Sequence, residues 1–257
     1  MSIATVVASP RPASDVAAGA IRVQDLKVRI FADGADKTGI RALCADPLIQ
    51  GFTTNPTLMR QAGVTDYAGF AKEILGEVSD RSISFEVFSD DFPEMERQAL
   101  EIASWGPQVY VKIPITNTRG ASSLPLIRRL ADRGVKLNVT AMMTVEQTEE
   151  AVEALAGGPP SYLSIFAGRI ADTGRDPLPT MEYAVSLMQP HPNLELIWAS
   201  PREILNIVQA DRVGCHIITV THALLKKLRI VGRDLDEFSL ATVRMFYDDA
   251  KAAGYSM

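Results

Sequence analysis

Cysteine is nearly absent. Only Cys44 and Cys215 occur in 257 residues, with no CxxC spacing and no His cluster beside either. Nothing suggests a zinc or redox motif, and both read as buried thiols of a reducing cytoplasm. An excess of positive charge is missing too: 26 Lys+Arg face 31 Asp+Glu, for a net charge of -5. No basic field is available to hold a nucleic-acid backbone, so nucleic acid is not an expected partner. No run approaches the roughly 18 uninterrupted apolar residues of a membrane span, and Ile3–Ala8 is short and lacks a basic flank. Neither a membrane partner nor an export signal is expected. No GxGxxG follows the first strand-like run, no short repeat stands out, and no low-complexity linker divides the chain.

What is present is a hydrophobic fraction of 47%, enough for a large core. Residues 1–26, rich in Ala, Ser, Pro and Val without a sustained period, read as a flexible extension, and residues 27–257 as one folded domain. Within that domain, short β-branched or aromatic runs alternate with stretches of helical period. The runs are Val28–Asp33, Gly51–Asn55, Ser82–Phe88, Val109–Pro114, Lys136–Met142, Tyr162–Ala167, Leu194–Ser200 and His216–Val220. Helices are predicted over 66–79, 91–105, 122–133, 144–156, 179–188, 201–209 and 222–228. Thr144 followed three residues on by Gln147 is a capping box, and Pro201 suits the first turn of a helix. This alternation predicts an α/β fold, a single (β/α)8 TIM barrel, rather than an open doubly wound sheet. A last segment, about 236–252, adds an amphipathic C-terminal helix with Phe238, Val243, Phe246 and Tyr247. Its apolar side has two possible partners, its own barrel or a neighbouring subunit.

Barrel strands alternate between interior and helix-facing side chains, and the C-terminal strand ends face the active-site mouth. In Val109–Pro114 the odd positions are aliphatic, while Lys112 shares a face with Tyr110. A lysine there is either an exposed edge residue or an interior amine. Helices covering every strand make exposure difficult, which favours the interior. The same alternation brings Asp33, Thr53 with Asn55, Ser84 with Glu86, Asn138 with Thr140, and Ser164 with Phe166 towards one mouth. Burying an isolated polar group costs several kcal/mol unless it is paired, so this repetition points to a site rather than to packing. An amine that burial can hold neutral suits attack on a ketone, giving a Schiff base that acts as an electron sink. Farther along, Gly168-Arg169 and Ser200-Pro201-Arg202 bring two guanidinium groups and a hydroxyl at a helix N-terminus, a suitable site for a phosphate.

From about Val28 to Ala252 these residues resemble the transaldolase family. The carrying motifs are Asp33, Gly51–Thr57, Val111–Pro114, Leu137–Thr140, Ser164–Ile170 and Ala199–Arg202. The length is nearer the small transaldolases and related fructose-6-phosphate aldolases. The resemblance implies a class I aldolase barrel without metal or cofactor, acting on sugar phosphates. Lys112 would form the Schiff base with a ketose-phosphate C2 carbonyl, and Asp33 would take the C4 hydroxyl proton as the C3–C4 bond breaks. Glu86, with Thr140 and a water, would move protons as the Schiff base forms and hydrolyses. Asn55 and Asn138 would hold hydroxyls of the dihydroxyacetone unit; Thr53, Ser164 and Phe166 line the site. Arg169, Ser200 and Arg202 match the phosphate positions. The resemblance further implies a ring-like homo-oligomer with exchange of the C-terminal helix.

The sequence departs from the family at four places. Thr57 stands where many relatives have Ser, Gly34 follows Asp33 where Thr or Ser is usual, Pro201 lies inside the phosphate motif, and His222 replaces an apolar residue or Pro after the eighth strand. The expected activity is transfer of a dihydroxyacetone unit to an aldose phosphate. The alternatives are a lyase releasing free dihydroxyacetone, for which Gln and Tyr would be the choices at Glu86 and Phe166, and a non-catalytic sugar-phosphate-binding barrel.

Overall fold

A computed structural model describes residues 21–255. Most of the expected flexible extension, residues 1–20, lies outside the described residues. These residues divide into two compact units, one of them Leu26–Leu228.

That unit is a closed barrel in which every strand pairs in parallel with its neighbours in chain order. The strands are β1 (Arg29–Asp33), β2 (Ile49–Thr53), β3 (Ser82–Glu86), β4 (Val109–Pro114), β5 (Leu137–Met142), β6 (Ser161–Ile165), β7 (Leu194–Trp198) and β8 (Ile217–Thr221). Around them run α1 (Lys37–Cys44), α2 (Pro56–Gln61), α3 (Tyr67–Glu77), α4 (Phe92–Ala103), α5 (Leu124–Asp132), α6 (Val145–Leu155), α7 (Ala167–Asp172), α8 (Leu178–Met188), α9 (Leu205–Arg212) and α10 (His222–Leu225). This is the predicted (β/α)8 TIM barrel. A covering helix layer requires both faces of each strand to be buried, and all five residues of β6 are buried.

Register sets what meets inside. Asp33, Thr53, Ser84 and Tyr110 form one row across β1 to β4, and Glu86, Lys112, Asn138 and Tyr162 form the next across β3 to β6. Tyr110 and Tyr162 stack at 3.9 Å between ring centroids, and Phe31 meets Tyr162 edge-on at 5.9 Å. With Ile197, Ala199 and Ile217 they form a buried hydrophobic cluster, against which Phe166 packs, so the polar residues of the two rows adjoin packed apolar ones.

The capping box at Thr144 and Gln147 is present, with both reciprocal hydrogen bonds made. Pro201 departs from expectation: α9 starts at Leu205, so Pro201 is in a turn and Ser200 is not at a helix N-terminus. The turn is held by Asn206, whose Oδ1 accepts from Arg202 N at 2.7 Å and Glu203 N at 3.2 Å. Ser200 has φ 62°, a left-handed backbone that cannot lead straight into a helix. Cys215 is buried, as expected, whereas Cys44 is only partly so.

The other unit holds a short 3-10 turn, Val23–Asp25, and an 18-residue helix, α11 (Leu235–Ala252), the expected C-terminal addition. None of the residues of α11 is buried. Among the described residues no helix is long and apolar enough to cross a membrane.

Candidate active site

Lys112 stands at the middle of the polar row, 6% exposed. Its Nζ lies 3.2 Å from Glu86 Oε2 and donates to the Thr54 carbonyl at 3.3 Å. The interior placement follows from β4 itself, where alternation puts Lys112 on the side of Tyr110. Glu86 directly opposes Lys112 in the β3–β4 ladder. Its backbone is clamped from α3: Tyr67 Oη donates to Glu86 O and accepts from Glu86 N, each at 2.9 Å. Burial pushes the Tyr67 phenol well above its ordinary range, so it remains protonated and able to donate.

A second group centres on Asp33, at the end of β1. Thr53 Oγ1 donates to Asp33 Oδ1 at 2.7 Å and is also bonded to the Thr219 hydroxyl. Burial pushes the Asp33 carboxyl above the usual carboxylate range, opposed by the Lys112 cation, the Thr53 hydrogen bond and His222. On the other side of Lys112, Asn138 is fully buried; its Nδ2 donates to Ser84 Oγ at 3.0 Å and its Oδ1 accepts from Ser164 Oγ at 2.7 Å. Thr140, two residues on, is buried, and its Oγ1 has no hydrogen-bond partner among the described residues. It precedes Ala141, whose φ of 63° is left-handed. Asn55 is the N-cap of α2, its Oδ1 accepting from Leu58 N at 3.0 Å.

The expected anion residues come from α7, which follows β6, and from the turn after β7. The Arg169 guanidinium lies 5.7 Å from the centre of the Phe166 ring, and Arg169 is exposed. Arg202 instead makes a forked pair with Asp172, its Nε 2.9 Å from Oδ1 and its Nη2 on Oδ2. The start of α7 and the β7 turn touch closely: a Cβ on Gly168 would lie 1.6 Å from the Ser200 carbonyl oxygen, so only glycine fits.

The sequence profile of the Transaldolase/Fructose-6-phosphate aldolase family matches residues 30–257. The chain belongs to that family. It is 35% identical over 202 residues to a protein of Dehalococcoides mccartyi named "Probable transaldolase", covering 78% of this chain and 90% of that one. It is 34% identical over 228 residues to a "Probable transaldolase" of Thermoanaerobacter sp. strain X514, covering 88% of this chain and 99% of that one. Among solved structures, one described as "Native KDPGal structure" superposes with a TM-score of 0.53 at 13% identity, over 76% of this chain and 82% of its own. That last likeness shows the fold alone.

For a transaldolase-type barrel the fold therefore gathers Asp33, Thr53, Glu86, Lys112, Asn138 and Ser164 into one connected interior cluster. It places Phe166 and Arg169 at the N-cap and in the helix of α7 after β6, and Ser200 and Arg202 on the turn after β7. Sequence reasoning did not find the Thr54 carbonyl, Tyr67, Thr219 or Asp172. Thr219 was findable by alternation, since it precedes Thr221 by two in β8. The other three act through backbone groups or through partners distant along the chain.

Proposed function

We propose that this barrel is a transaldolase, moving a dihydroxyacetone unit from a ketose phosphate to an aldose phosphate. The reading rests above all on a buried lysine paired with a single carboxylate in the barrel interior. A lysine so placed satisfies its charge through Glu86 and the Thr54 carbonyl, and giving one proton to Glu86 frees the Nζ lone pair.

Nζ attacks C2 of the ketose phosphate to give a carbinolamine, and loss of water assisted by Glu86 leaves the protonated Schiff base. Thr140 has an unbonded buried hydroxyl to orient that water. Asp33 then takes the C4 hydroxyl proton while the C3–C4 electron pair moves into the iminium, releasing the aldose phosphate and leaving an enamine. An acceptor aldehyde takes up the enamine carbon, its new alkoxide recovers the proton from Asp33, and hydrolysis restores Lys112. Asn138, held by Ser84 and Ser164, and Asn55 bind hydroxyls of the three-carbon unit. Arg169 and Arg202, with Ser200, take the phosphate, Arg202 exchanging Asp172 for it. Phe166 has no donor to hold a hydrolytic water beside the enamine, which favours transfer over release. The reading extends to a homo-oligomer, working in the cytoplasm, in which α11 is shared between subunits.

Borohydride added with a ketose phosphate should fix a three-carbon adduct to Lys112, mapped by mass spectrometry. Lys112→Met should abolish the adduct and lower kcat by ~10³-fold or more. Turnover should be slow on the ketose phosphate alone and fast once an aldose phosphate is added. An adduct on another lysine overturns the mechanism, and rapid cleavage without acceptor makes the protein a lyase.

A further inference from the structure

His222 follows β8 directly, one residue beyond Thr221, which stands opposite Asp33 in the β1–β8 ladder. Its imidazole occupies space that two glycines of the β1–α1 segment leave open. A Cβ on Gly34 would lie 2.9 Å from His222 Nε2 and 3.2 Å from Cε1. A Cβ on Gly39 would lie 2.4 Å from Cε1 and 2.5 Å from Nδ1. Any other residue at either place would collide with the ring.

The turn so wedged is the one that carries Asp33. On the side away from His222, Gly34 N donates to Thr53 O at 3.1 Å, so β2 pins the turn and the imidazole closes it against β8. His222 Nε2 is buried and has no hydrogen-bond partner among the described residues. The charged groups around the ring are Asp33 on β1, Asp36 at the N-cap of α1, Lys226 beside α10, and Asp46, which shares with His222 the lining of an apolar cavity of about 280 Å³.

We propose that His222 is a positioning residue for Asp33: its ring sets the β1–α1 turn that aims the carboxylate, and its protonated form keeps that carboxylate ionised in acid. The inference rests on Asp33 being the base of the cleavage step. Burial pushes the imidazole below its ordinary value, against the pull of Asp36 and Asp33, so the ring is neutral at pH 7 and gains its charge on acidification. The cation then stands near Asp33 together with Lys112, and both favour the carboxylate over the acid. Without the imidazole Asp33 takes up its proton at a higher pH.

The test compares the full-length wild type with His222→Gln and His222→Leu in two assays. One is kcat against pH with a ketose phosphate donor and an aldose phosphate acceptor. The other is borohydride trapping of dihydroxyacetone on Lys112, which needs the Schiff base but no carbon–carbon cleavage. Trapping should remain within about twofold of wild type in both variants while kcat at pH 7 falls about tenfold in His222→Leu. In His222→Gln the acid limb of kcat should move up by about half a pH unit or more. An acid limb that stays in place, or trapping that falls in step with kcat, overturns the proposal. A wild type that traps nothing overturns the Schiff-base reading instead, a separate result. The contact is checked by stability: Gly34→Ala should lower Tm in the wild type and have little effect in a His222→Ala background. Equal losses in the two backgrounds would also overturn the proposal.

Discussion

Asp33 is held in an environment that works against its charge. Burial favours the acid form, and the Lys112 cation and the Thr53 hydroxyl only partly offset this. A folded-state pKa above the unfolded value means that this carboxyl contributes stability below the unfolded pKa and loses it as pH rises through the folded one. At neutral pH the ionised group therefore destabilises the fold, the usual exchange of stability for a poised base. Asp33→Asn keeps an oxygen to accept from Thr53 and removes the charge. We predict that it raises Tm at pH 7 by about 2–4 °C, with the gain shrinking as pH falls towards 4, while cleavage is lost and trapping on Lys112 survives. A lower Tm at neutral pH would show that the carboxylate is fully satisfied where it stands. Lys112 and Glu86 were legible in the sequence because a period of two, once helices cover both faces, leaves a strand lysine nowhere to go but inward. Tyr67 was not legible, since nothing in α3 reports that its hydroxyl will clamp the Glu86 backbone from 19 residues away.

At the scale of elements, the eight strands followed from short β-branched runs, but α1, α2 and α7 were missed. They span only 8, 6 and 6 residues, too short to show a helical period. The predicted helix start at Pro201 failed because a left-handed Ser200 and the Asn206 side chain impose a turn first. Left-handed backbone in a residue other than glycine costs about 1–2 kcal/mol. Among the described residues it occurs at Ala141 and Ser200, after Thr140 and before Arg202. Strain of this kind collects where geometry serves a site, and the Gly168 contact shows what it secures here: the β7 turn seated on the start of α7. Gly168→Ala forces α7 and the β7 turn apart, since a Cβ 1.6 Å from a carbonyl oxygen is impossible. It should raise KM for phosphorylated donors about tenfold or more, leaving dihydroxyacetone trapping on Lys112 near wild type. An unchanged KM would place the phosphate elsewhere.

For the whole molecule the unresolved demand is hydrophobic. In α11, Leu235, Phe238, Leu240, Val243, Met245, Phe246 and Tyr247 are each at least 40% exposed. They extend well beyond a single helical stripe, and a helix apolar on so much of its surface is stable only when covered. An isolated helix of this length is marginal in water, so the covering surface supplies most of its stability. Charge does not oppose association, because a net charge of -5 spread over 257 residues leaves little mutual repulsion between copies. A second copy of the chain presents the same helix and gives a closed, symmetric way to cover both. Light scattering at micromolar concentration should therefore give a mass at least twice the 28.0 kDa of the chain. Val243→Glu combined with Phe246→Glu should lower that mass towards the single-chain value and lower Tm with it, because the charges would be buried unpaired at the contact. A wild type that runs as a single chain at that concentration would rule out subunit exchange of α11, leaving the barrel chemistry untouched.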